Sequence, residues 1–539
     1  MPIRMVDDPQ DQEDQYNNDD SGNSGGGNFP VGPGGGGGGL FNLLPLVFSL
    51  FKGRGILLLL VVGGVLYFIL GRGGCNMGSG AVTDIISQFT RGGEMNRDTF
   101  DKAKIFEGLD DYKNPLPEAA NLQRFAPTPG DQGQQGSCVA WSSGYAARTI
   151  LEAAKTGEDP DNIKFSPAFL YNNIKLEGCQ GSYVLKAMEF MSRQGAVPYN
   201  EFAYRDDDCD RQPPAQLYDE AKQFRIAGFT RLTKGDNTEA IDLNAIRANL
   251  AQGAPVVIGM MVGQSFMQPM MGQDVWVPAA GDRNLMGFGG HALCVVGYDD
   301  KKYGGAFLIM NSWTPQWGNN GFAWIRYPDF KFFVREAYGL EPMHKQNEAY
   351  TPFSCEVGLV NVEYDGKKTV PRGYIALRSN GGNKFETVSP LKIGSKFKME
   401  VHNTTECYVY IFGKETDGTS YTLFPYPKAD DPAQTKYSPF CGITGYRLFP
   451  KDKSMSPDNI GTRDAFAVVV SKQPLDWFKL NQQISQNPSA DFGTRINTAL
   501  GNRLIKNVNF KVTDNGNVSF TADTNGSDVV AWVVEADKN

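Results

Sequence analysis

Residues 56–70 read ILLLLVVGGVLYFIL and carry no polar group except the hydroxyl of Tyr67. A helix on the surface of a globular domain keeps one polar face, and this stretch has none. With Gly55 and Gly71 the run is 17 residues long. As a helix it would be about 25 Å long, which is the short end of what crosses a bilayer. The sequence therefore predicts one transmembrane helix at about residues 55–71.

The segments before this run complete a predicted membrane anchor. Residues 1–39 hold 11 glycines and seven acidic residues against one basic residue. Because such a segment buries too little apolar surface to fold, we predict a disordered tail. Residues 40–51 are apolar but too short to cross alone, so we expect them to lie in the membrane interface, within an anchor at residues 40–72. Lys52 and Arg54 precede the span, which favours a cytoplasmic N-terminus and an extracytoplasmic remainder.

The composition limits the classes of function that the chain can have. It has 539 residues, of which 41% are hydrophobic and 21% charged, and its net charge is −8. This apolar content is enough to build ordinary cores. The negative charge and the lack of a long basic run exclude a nucleic-acid binder. The sequence contains neither a CxxC nor an HExxH pattern, so we predict no metal and no other cofactor.

Two regions of different texture follow a polar stalk at residues 73–115. In residues 116–348, the α+β region, helical patterns come first and apolar strand-like runs come later. In residues 349–539, the β-rich region, apolar and polar residues alternate. This alternation predicts a β-sandwich-like fold. Helices are expected in it near residues 474–486 and 491–504.

Cys138 has the most distinctive setting of the eight cysteines. It follows the turn Asp131-Gln-Gly-Gln-Gln-Gly-Ser137 and begins a helix that we expect to run to about Ala154. The positive end of a helix lowers the pKa of a thiol, which makes Cys138 a candidate nucleophile. Gln132 can return along the turn and place its amide beside the sulfur. An acyl-transfer reaction needs such a donor for its oxyanion.

His291 is the best candidate for the base among only three histidines. Two glycines precede it at the start of an apolar strand, and they leave room for a substrate backbone. Imidazole suits this role because its pKa is near neutrality. Asn311 follows 20 residues later, and we expect its amide to orient the imidazole through the Nδ1 proton. The neighbouring Trp313 would shield that bond from water.

The same residues resemble those of papain-like cysteine peptidases of the bacterial type, in clan CA. The resemblance extends over residues 116–327 and rests on four blocks in order: Leu116-Pro117 with Gln132-Gly-x-x-Gly-Ser-Cys138, Gly178-Cys-Gln-Gly181, Gly290-His-Ala292 with Val296-Gly-Tyr-Asp299, and Asn311-Ser-Trp313 with Trp317-Gly-x-Asn-Gly321. It implies a two-lobed catalytic domain with a helical lobe and a β-barrel-like lobe. It also implies an endopeptidase that hydrolyses peptide bonds of proteins or peptides through a thioester acyl-enzyme.

Roles carry over by position within these blocks. Cys138 would be the nucleophile, His291 the base and then the acid, and Asn311 the residue that orients His291. Gln132 and the backbone N–H of Cys138 would form the oxyanion hole. Five further residues would line the substrate cleft: Gly136, Gly181, Ser182, Gly290 and Trp313.

Some positions depart from the family pattern. Thr314 stands where a glycine usually follows Asn-Ser-Trp, and Ser182 replaces a glycine that helps bind the substrate backbone. Gln135 replaces a cysteine that in many relatives pairs with the position of Cys179. The resemblance therefore implies a bridge between Cys179 and Cys209. Members of the family are usually made with a longer inhibitory propeptide. Two alternatives follow: residues 73–115 block the cleft, or the enzyme has no zymogen.

The β-rich region resembles bacterial accessory domains of unknown function, with the resemblance centred on residues 391–475. Its aromatic residues Tyr421, Tyr426 and Tyr437 either bind a surface partner or cover the core of a sandwich, and the second reading is favoured.

Three functions are compatible with these features. The first is a single-pass peptidase of the bacterial cell membrane with its catalytic domain on the extracytoplasmic side. The second is a transglutaminase-like acyl transferase with the same cysteine and histidine. The third is a catalytically inert surface receptor or scaffold. Because an inert copy has no chemical reason to keep Cys138, His291, Asn311 and Gln132, we favour the peptidase.

Overall fold

The computed structural model of the chain describes residues 3–9, 92–94, 100, 103–105, 113–233, 241–284, 289–343, 352–366, 368–429, 431–442, 444–450, 453–524 and 526–539. The predicted anchor at residues 40–72 and most of the predicted stalk at residues 73–115 lie outside these ranges. Within the ranges that are described, no helix has the length and apolar character needed to cross a membrane.

Helices make up the first half of the α+β region. The predicted helix after the Gly-rich turn is present, with α1 (Cys138–Ala140), a π-helical segment (Trp141–Ala147) and α2 (Arg148–Thr156) in direct succession. Its side chains from Cys138 to Ala153 are buried, which explains why this stretch is so poor in charge. The other helices of the region are α3 (Pro167–Ile174), α4 (Val184–Arg193), α5 (Ala215–Ala221), α6 (Leu243–Ala251) and α7 (Tyr327–Phe333).

One sheet forms the second half of the α+β region. The strands up to residue 340 are β1 (Ile3–Asp7), β2 (Gly93–Glu94), β3 (Ala119–Asn121), β4 (Ser182–Tyr183), β5 (Phe229–Arg231), β6 (Val256–Val262), β7 (Val275–Trp276), β8 (Gly289–Asp299), β9 (Ala306–Met310), β10 (Phe322–Arg326) and β11 (Val334–Leu340). Among the described residues the sheet order is β5-β11-β6-β8-β9-β10-β7, with β3 paired to β8. β8 and β9 pair antiparallel, so Asn311, the residue after β9, lies near the start of β8, where His291 is.

The β-rich region contains two sheets that face each other, as predicted. Its strands are β12 (Phe353–Tyr364), β13 (Thr369–Ile375), β14 (Leu377–Ser379), β15 (Lys384–Thr387), β16 (Phe397–Asn403), β17 (Cys407–Lys414), β18 (Ser420–Phe424), β19 (Phe440–Cys441), β20 (Gly445–Phe449), β21 (Lys453–Pro457), β22 (Arg463–Ser471), β23 (Asn509–Val512), β24 (Val518–Ala522) and β25 (Val529–Asp537). The first sheet has the order β1-β21-β16-β12-β24-β23, with β13 on β12 and β20 on β16. The second has the order β14-β15-β25-β22-β17-β18, with β19 on β17.

Two helices add a third layer outside the second sheet. They are α8 (Trp477–Gln486) and α9 (Phe492–Leu500), close to the predicted positions. Along β17, Val409 and Ile411 belong to the core between the sheets, whereas Tyr410 and Phe412 belong to the core beneath the helices. The second sheet is thus buried on both faces, which explains its long apolar runs.

The core of the β-rich region is wider than residues 391–475. Phe353 and Leu359 on β12 and Trp532 and Val534 on β25 are buried members of it. Buried residues thus extend on both sides of residues 391–475, on which the resemblance to accessory domains is centred, because β12 and β25 both occupy interior positions in their sheets. Tyr437 is also buried in this core, which agrees with the favoured reading of that residue.

The predicted disordered tail is wrong for its first residues. β1 pairs antiparallel with β21 over Ile3–Asp7. Ile3 is 1% exposed, and its backbone makes two hydrogen bonds to the Tyr421 hydroxyl, as donor at 3.1 Å and as acceptor at 2.8 Å. A low apolar average over residues 1–39 concealed a short strand that needs only one buried side chain and a free sheet edge.

The pairing of β1 with β21 also conflicts with the predicted single crossing of the membrane. A single span between residues 9 and 92 would leave β1 and β21 on opposite sides of the bilayer. Hydrogen-bonded neighbouring strands lie about 4.8 Å apart, whereas the apolar layer is about 30 Å thick. The two arrangements cannot exist together.

Candidate active site

Cys138 is the first residue of α1 and is fully buried. The backbone N–H of Ala292 lies 3.4 Å from its Sγ and donates to it. Burial raises the pKa of the Cys138 thiol to about 12, and this N–H only partly offsets the rise. The expected lowering of the pKa does not hold for this form of the protein, because the loss of solvation outweighs the backbone N–H groups of Ala292, Val139 and Cys138 that favour the thiolate.

His291 is held by Asn311, although through a different nitrogen from the expected one. Nε2 of His291 lies 2.8 Å from Oδ1 of Asn311. The same Oδ1 accepts the backbone N–H of Ser312 at 2.8 Å, which fixes the orientation of the amide. Nε2 must therefore carry the proton, and the expectation of an Nδ1 bond is wrong. Among the described residues Nδ1 of His291 has no hydrogen-bond partner, so it can accept a proton.

Trp313 covers the imidazole, as the sequence predicts. The rings of Trp313 and His291 are stacked, with centroids 4.4 Å apart and planes inclined by 25°. Phe266 packs edge-on against both rings. Burial lowers the pKa of His291 to about 4, against the opposing effect of the Asn311 bond. Both Cys138 and His291 are thus neutral at pH 7 in this form.

The side chain of Gln132 is fixed at both ends of its amide. Its Oε1 accepts from Ser312 Oγ at 2.8 Å and from Trp313 Nε1 at 3.2 Å. Its Nε2 donates to the carbonyl of Gln135 at 2.9 Å, within the turn that leads to Cys138. Since Nε2 carries two hydrogens, one N–H remains for a second acceptor after the bond to Gln135.

Residues 92–94 lie in the cleft, directly on these groups. A Cβ atom at Gly92 would be 2.5 Å from Sγ of Cys138, and one at Gly93 would be 3.2 Å from the carbonyl carbon of His291. The carbonyl of Gly92 accepts the N–H of Ser182 at 3.1 Å. β2 then pairs with β4 in parallel. The chain's own backbone therefore covers the catalytic candidates.

The other predicted cleft residues surround the same segment. A Cβ on Gly290 would be 1.8 Å from the carbonyl oxygen of Gly93, so only glycine permits this approach. The space beside the glycines before His291, which we expected a substrate backbone to fill, is occupied by the backbone of Gly93. A Cβ on Gly136 would be 2.9 Å from the backbone nitrogen of Gly181. The turn before Cys138 therefore packs closely against the residue that precedes β4, the strand that pairs with β2.

The sequence could not identify residues 92–94 as cleft residues. The stretch Arg91-Gly-Gly-Glu94 carries no motif, and it lies 44 residues before Cys138 (138 − 94). The one available signal was the pair Gly92-Gly93, because glycines allow a backbone to approach other groups closely.

Cys179 and Cys209 are joined in a disulfide, with their Cα atoms 6.2 Å apart. Together with Asp210 they form the one group of possible metal ligands among the residues that the structure describes, and the bridge already occupies both sulfurs. Cys294 is a buried free thiol.

Known proteins are similar to part of this chain. A family model described as "Papain family cysteine protease" matches residues 121–333. An uncharacterized peptidase C1-like protein of Acanthamoeba polyphaga mimivirus is 28% identical over 235 residues, which cover 41% of this chain and 70% of the viral protein. Cathepsin K of Mus musculus is 28% identical over 199 residues, which cover 36% of this chain and 54% of that protein.

Xylellain, a cysteine protease from Xylella fastidiosa, aligns with a TM-score of 0.36 and 22% identity, over 47% of this chain and 99% of that one.

Proposed function

Residues 121–333 of this chain are a papain-family cysteine protease domain, and we propose that the whole chain is a membrane-anchored cysteine endopeptidase in a latent form. The domain is of the cysteine-type peptidase class, and its substrates are proteins or peptides. The observation that carries the proposed mechanism is the buried bond from His291 Nε2–H to Asn311 Oδ1. This bond leaves the other imidazole nitrogen available to the thiol.

In the proposed reaction, Nδ1 of His291 takes the proton of the Cys138 thiol. The thiolate attacks the peptide carbonyl, and the oxyanion is stabilised by the backbone N–H of Cys138 and by Nε2 of Gln132. The protonated imidazole gives its proton to the leaving amine, which breaks the peptide bond and leaves a thioester. His291 then takes a proton from water, and the water oxygen attacks the thioester carbonyl. The C–S bond breaks, the acid is released, and the proton on His291 returns to the sulfur of Cys138. Asn311 keeps the imidazole in the required orientation throughout.

The latent state follows from the cover over the cleft. Residues 92–94 exclude a substrate backbone from Ser182 and Gly290, and they keep Cys138 and His291 out of water. A charged thiolate–imidazolium pair is costly in such a site, which agrees with the raised pKa of the thiol and the lowered pKa of His291. Of the two possibilities that the sequence left open, this contact supports a stalk that blocks the cleft.

The test of the peptidase proposal uses the full chain in detergent micelles, since β1 belongs to the fold. Because the wild-type cleft is covered, the comparison uses Gly92→Val, whose side chain would clash with Sγ of Cys138 and open the cleft, and the double variant Gly92→Val/Cys138→Ala. Both are treated with an epoxide thiol inhibitor and analysed by peptide mass mapping, and hydrolysis of an unfolded protein substrate is followed in parallel. We expect labelling at Cys138 and hydrolysis by Gly92→Val alone. Equal labelling of the two proteins, or equal hydrolysis, would reject a peptidase that uses this thiol.

A transglutaminase-like reaction is distinguished by the fate of the acyl-enzyme. If a primary amine at millimolar concentration replaces water as the acceptor, the main product is an amide, and the enzyme is an acyl transferase. Release of the free acid supports the peptidase.

We also propose that the chain is anchored by its apolar segments at residues 40–51 and 56–70. The pairing of β1 with β21 supports an anchor that enters and leaves the bilayer on the same face, the face that carries the peptidase. The disulfide at Cys179 suits a peptidase on the extracytoplasmic side.

This topology is tested with epitope tags at the two termini in intact cells. We expect an added protease to remove both tags, and alkaline extraction to leave the protein in the membrane. Protection of the N-terminal tag alone would support a single crossing and reject the β1–β21 pairing. Release by alkaline extraction would reject the anchor itself.

A further inference from the structure

The segment that covers the cleft continues along the α+β region. Phe100 is 2% exposed and belongs to the core of that region. Its carbonyl accepts from Nη1 of Arg231 at 3.0 Å, and the guanidinium lies 4.6 Å from the centre of its ring. Ala103 is buried in the same core. The chain is thus still attached to the α+β region after it leaves the cleft.

At Ile105 the segment passes to the β-rich region. The backbone N–H of Arg231 donates to the carbonyl of Lys104 at 2.7 Å, and the N–H of Ile105 donates to the carbonyl of Lys436 at 2.9 Å. Ile105 makes bridges to both Arg231 and Tyr437. Its side chain is 3% exposed and belongs to the core between the two sheets of the β-rich region. One residue therefore connects the segment to both regions.

Lys113 makes a second attachment to the β-rich region. Its Nζ lies 2.5 Å from Oε2 of Glu400 and 2.6 Å from the Tyr374 hydroxyl. The same nitrogen lies 4.8 Å from the centre of the Tyr446 ring. Lys113 is thus surrounded by one carboxylate and two aromatic rings.

Asn114 binds the edge of β20. Its Nδ2 donates to the carbonyl of Tyr446 at 2.7 Å, and its Oδ1 accepts the N–H of the same residue at 3.0 Å. The amide side chain therefore pairs with Tyr446 as a neighbouring strand would.

We propose that the β-rich region binds the chain at Ile105 and at Lys113–Asn114 and thereby holds residues 92–94 over Cys138. This inference rests on the proposed latent form. The pairing of β2 with β4 involves only two residues on each strand, and short pairings open readily when nothing else restrains them. Anchoring the same chain at Ile105 and at Lys113–Asn114 keeps β2 at a high effective concentration beside β4. The β-rich region then acts as an intramolecular binding surface whose partner is the chain's own stalk.

The test measures how fast the epoxide inhibitor labels Cys138 in the full chain. Ile105→Ser removes the apolar anchor, and Ile484→Ser is its matched control. Ile484 is an equally buried isoleucine of the β-rich region, but it lies in the separate core beneath α8 and α9. We expect Ile105→Ser to raise the labelling rate about tenfold and Ile484→Ser to leave it within about twofold of wild type. Equal rates for the two variants would overturn the proposal.

A second variant guards against loss of folding. Asn114→Ala removes the bonds to Tyr446 and leaves every core intact. It should raise the labelling rate about threefold without changing the thermal transition, and an unchanged rate would count against the β-rich region as the holder.

Gly92→Val separates this inference from the proposed function. Its side chain would clash with Sγ of Cys138 and force residues 92–94 out of the cleft. If Gly92→Val accelerates labelling and Ile105→Ser does not, the latent form stands and the β-rich region does not hold it. If neither variant accelerates labelling, the latent form itself is wrong.

Discussion

The N-terminal part of the chain contributes one strand to each region, and the two strands are held in different ways. β1 covers five residues, pairs antiparallel at a sheet edge, buries Ile3 and adds charged contacts. β2 covers two residues, begins with a glycine and pairs in parallel. β1 is built into the core of the β-rich region, whereas β2 only covers the groups beneath it. The comparison indicates that β1 is structural and that β2 can be displaced.

The largest expected effect concerns the charged end of β1. Asp8 is 6% exposed and its Oδ2 lies 2.7 Å from Nζ of Lys398, which is 4% exposed. Asp8→Asn would leave a buried ammonium without its carboxylate, and we expect a loss of about 3 kcal/mol of folding free energy in denaturant unfolding.

The neighbouring residue is the matched control for that change. Asp7 pairs with Lys453, but its side chain is 84% exposed, so Asp7→Asn should cost less than about 1 kcal/mol. Equal losses for the two variants would show that β1 is held no more firmly than a surface strand.

The next effect is the displacement of β2. Gly92→Val should accelerate the labelling of Cys138 about tenfold, since the new Cβ would have to lie 2.5 Å from the sulfur. Gly281→Val is the control, because nothing lies within 4 Å of a Cβ at that position. Its labelling rate should equal that of wild type. An unaltered rate in Gly92→Val would remove the distinction between the two strands.

The pH dependence of labelling sharpens the same distinction. Burial raises the pKa of Cys138 to about 12 and lowers that of His291 to about 4 in the covered site. A raised thiol pKa means that the reactive thiolate increases with pH up to that value, so wild-type labelling should rise steadily from pH 6 to 10. In Gly92→Val, water reaches both groups and favours their charged forms. The labelling rate of this variant should therefore level off at a pH at least about one unit below that of wild type. Superimposable pH profiles would contradict the role of the cover.

The smallest effect lies beside the covered site. Thr314 has a φ of 66°, a left-handed conformation that is unfavourable for a β-branched residue. Thr314→Gly should stabilise the protein and increase its free energy of unfolding by about 1 kcal/mol, since relief of strain exceeds the entropic cost of glycine. Asn320 has a φ of 55°, but asparagine tolerates this conformation, so Asn320→Gly should gain less than half as much in thermal unfolding.

Much of the fold follows from local patterns in the sequence. The Gly-rich turn before Cys138 and the apolar strand after His291 each correspond to an observed element. The helices at Trp477–Gln486 and Phe492–Leu500 were also expected. In the structure, each follows an aspartate, Asp476 or Asp491, that accepts the backbone N–H three residues later and so caps the helix.

The predictions that failed all depend on partners that are distant in sequence. A free edge on β21 turns Ile3–Asp7 into a strand, and the average composition of residues 1–39 carries no sign of that edge. In the same way, β12 and β25 gain their interior positions only when the sheets assemble, so local sequence does not mark them as core strands.

The sequence by itself determined which residues can do the chemistry, because a thiol, an imidazole and an amide are set by residue type and their order by the chain. It also determined the alternation that builds two packed sheets. Only the tertiary structure decided that Nε2 of His291 binds Asn311 and that residues 92–94 lie on Cys138. It likewise decided that burial raises the thiol pKa. The physical reason is that solvation and contact depend on which distant segments meet in space, and local sequence does not encode those meetings.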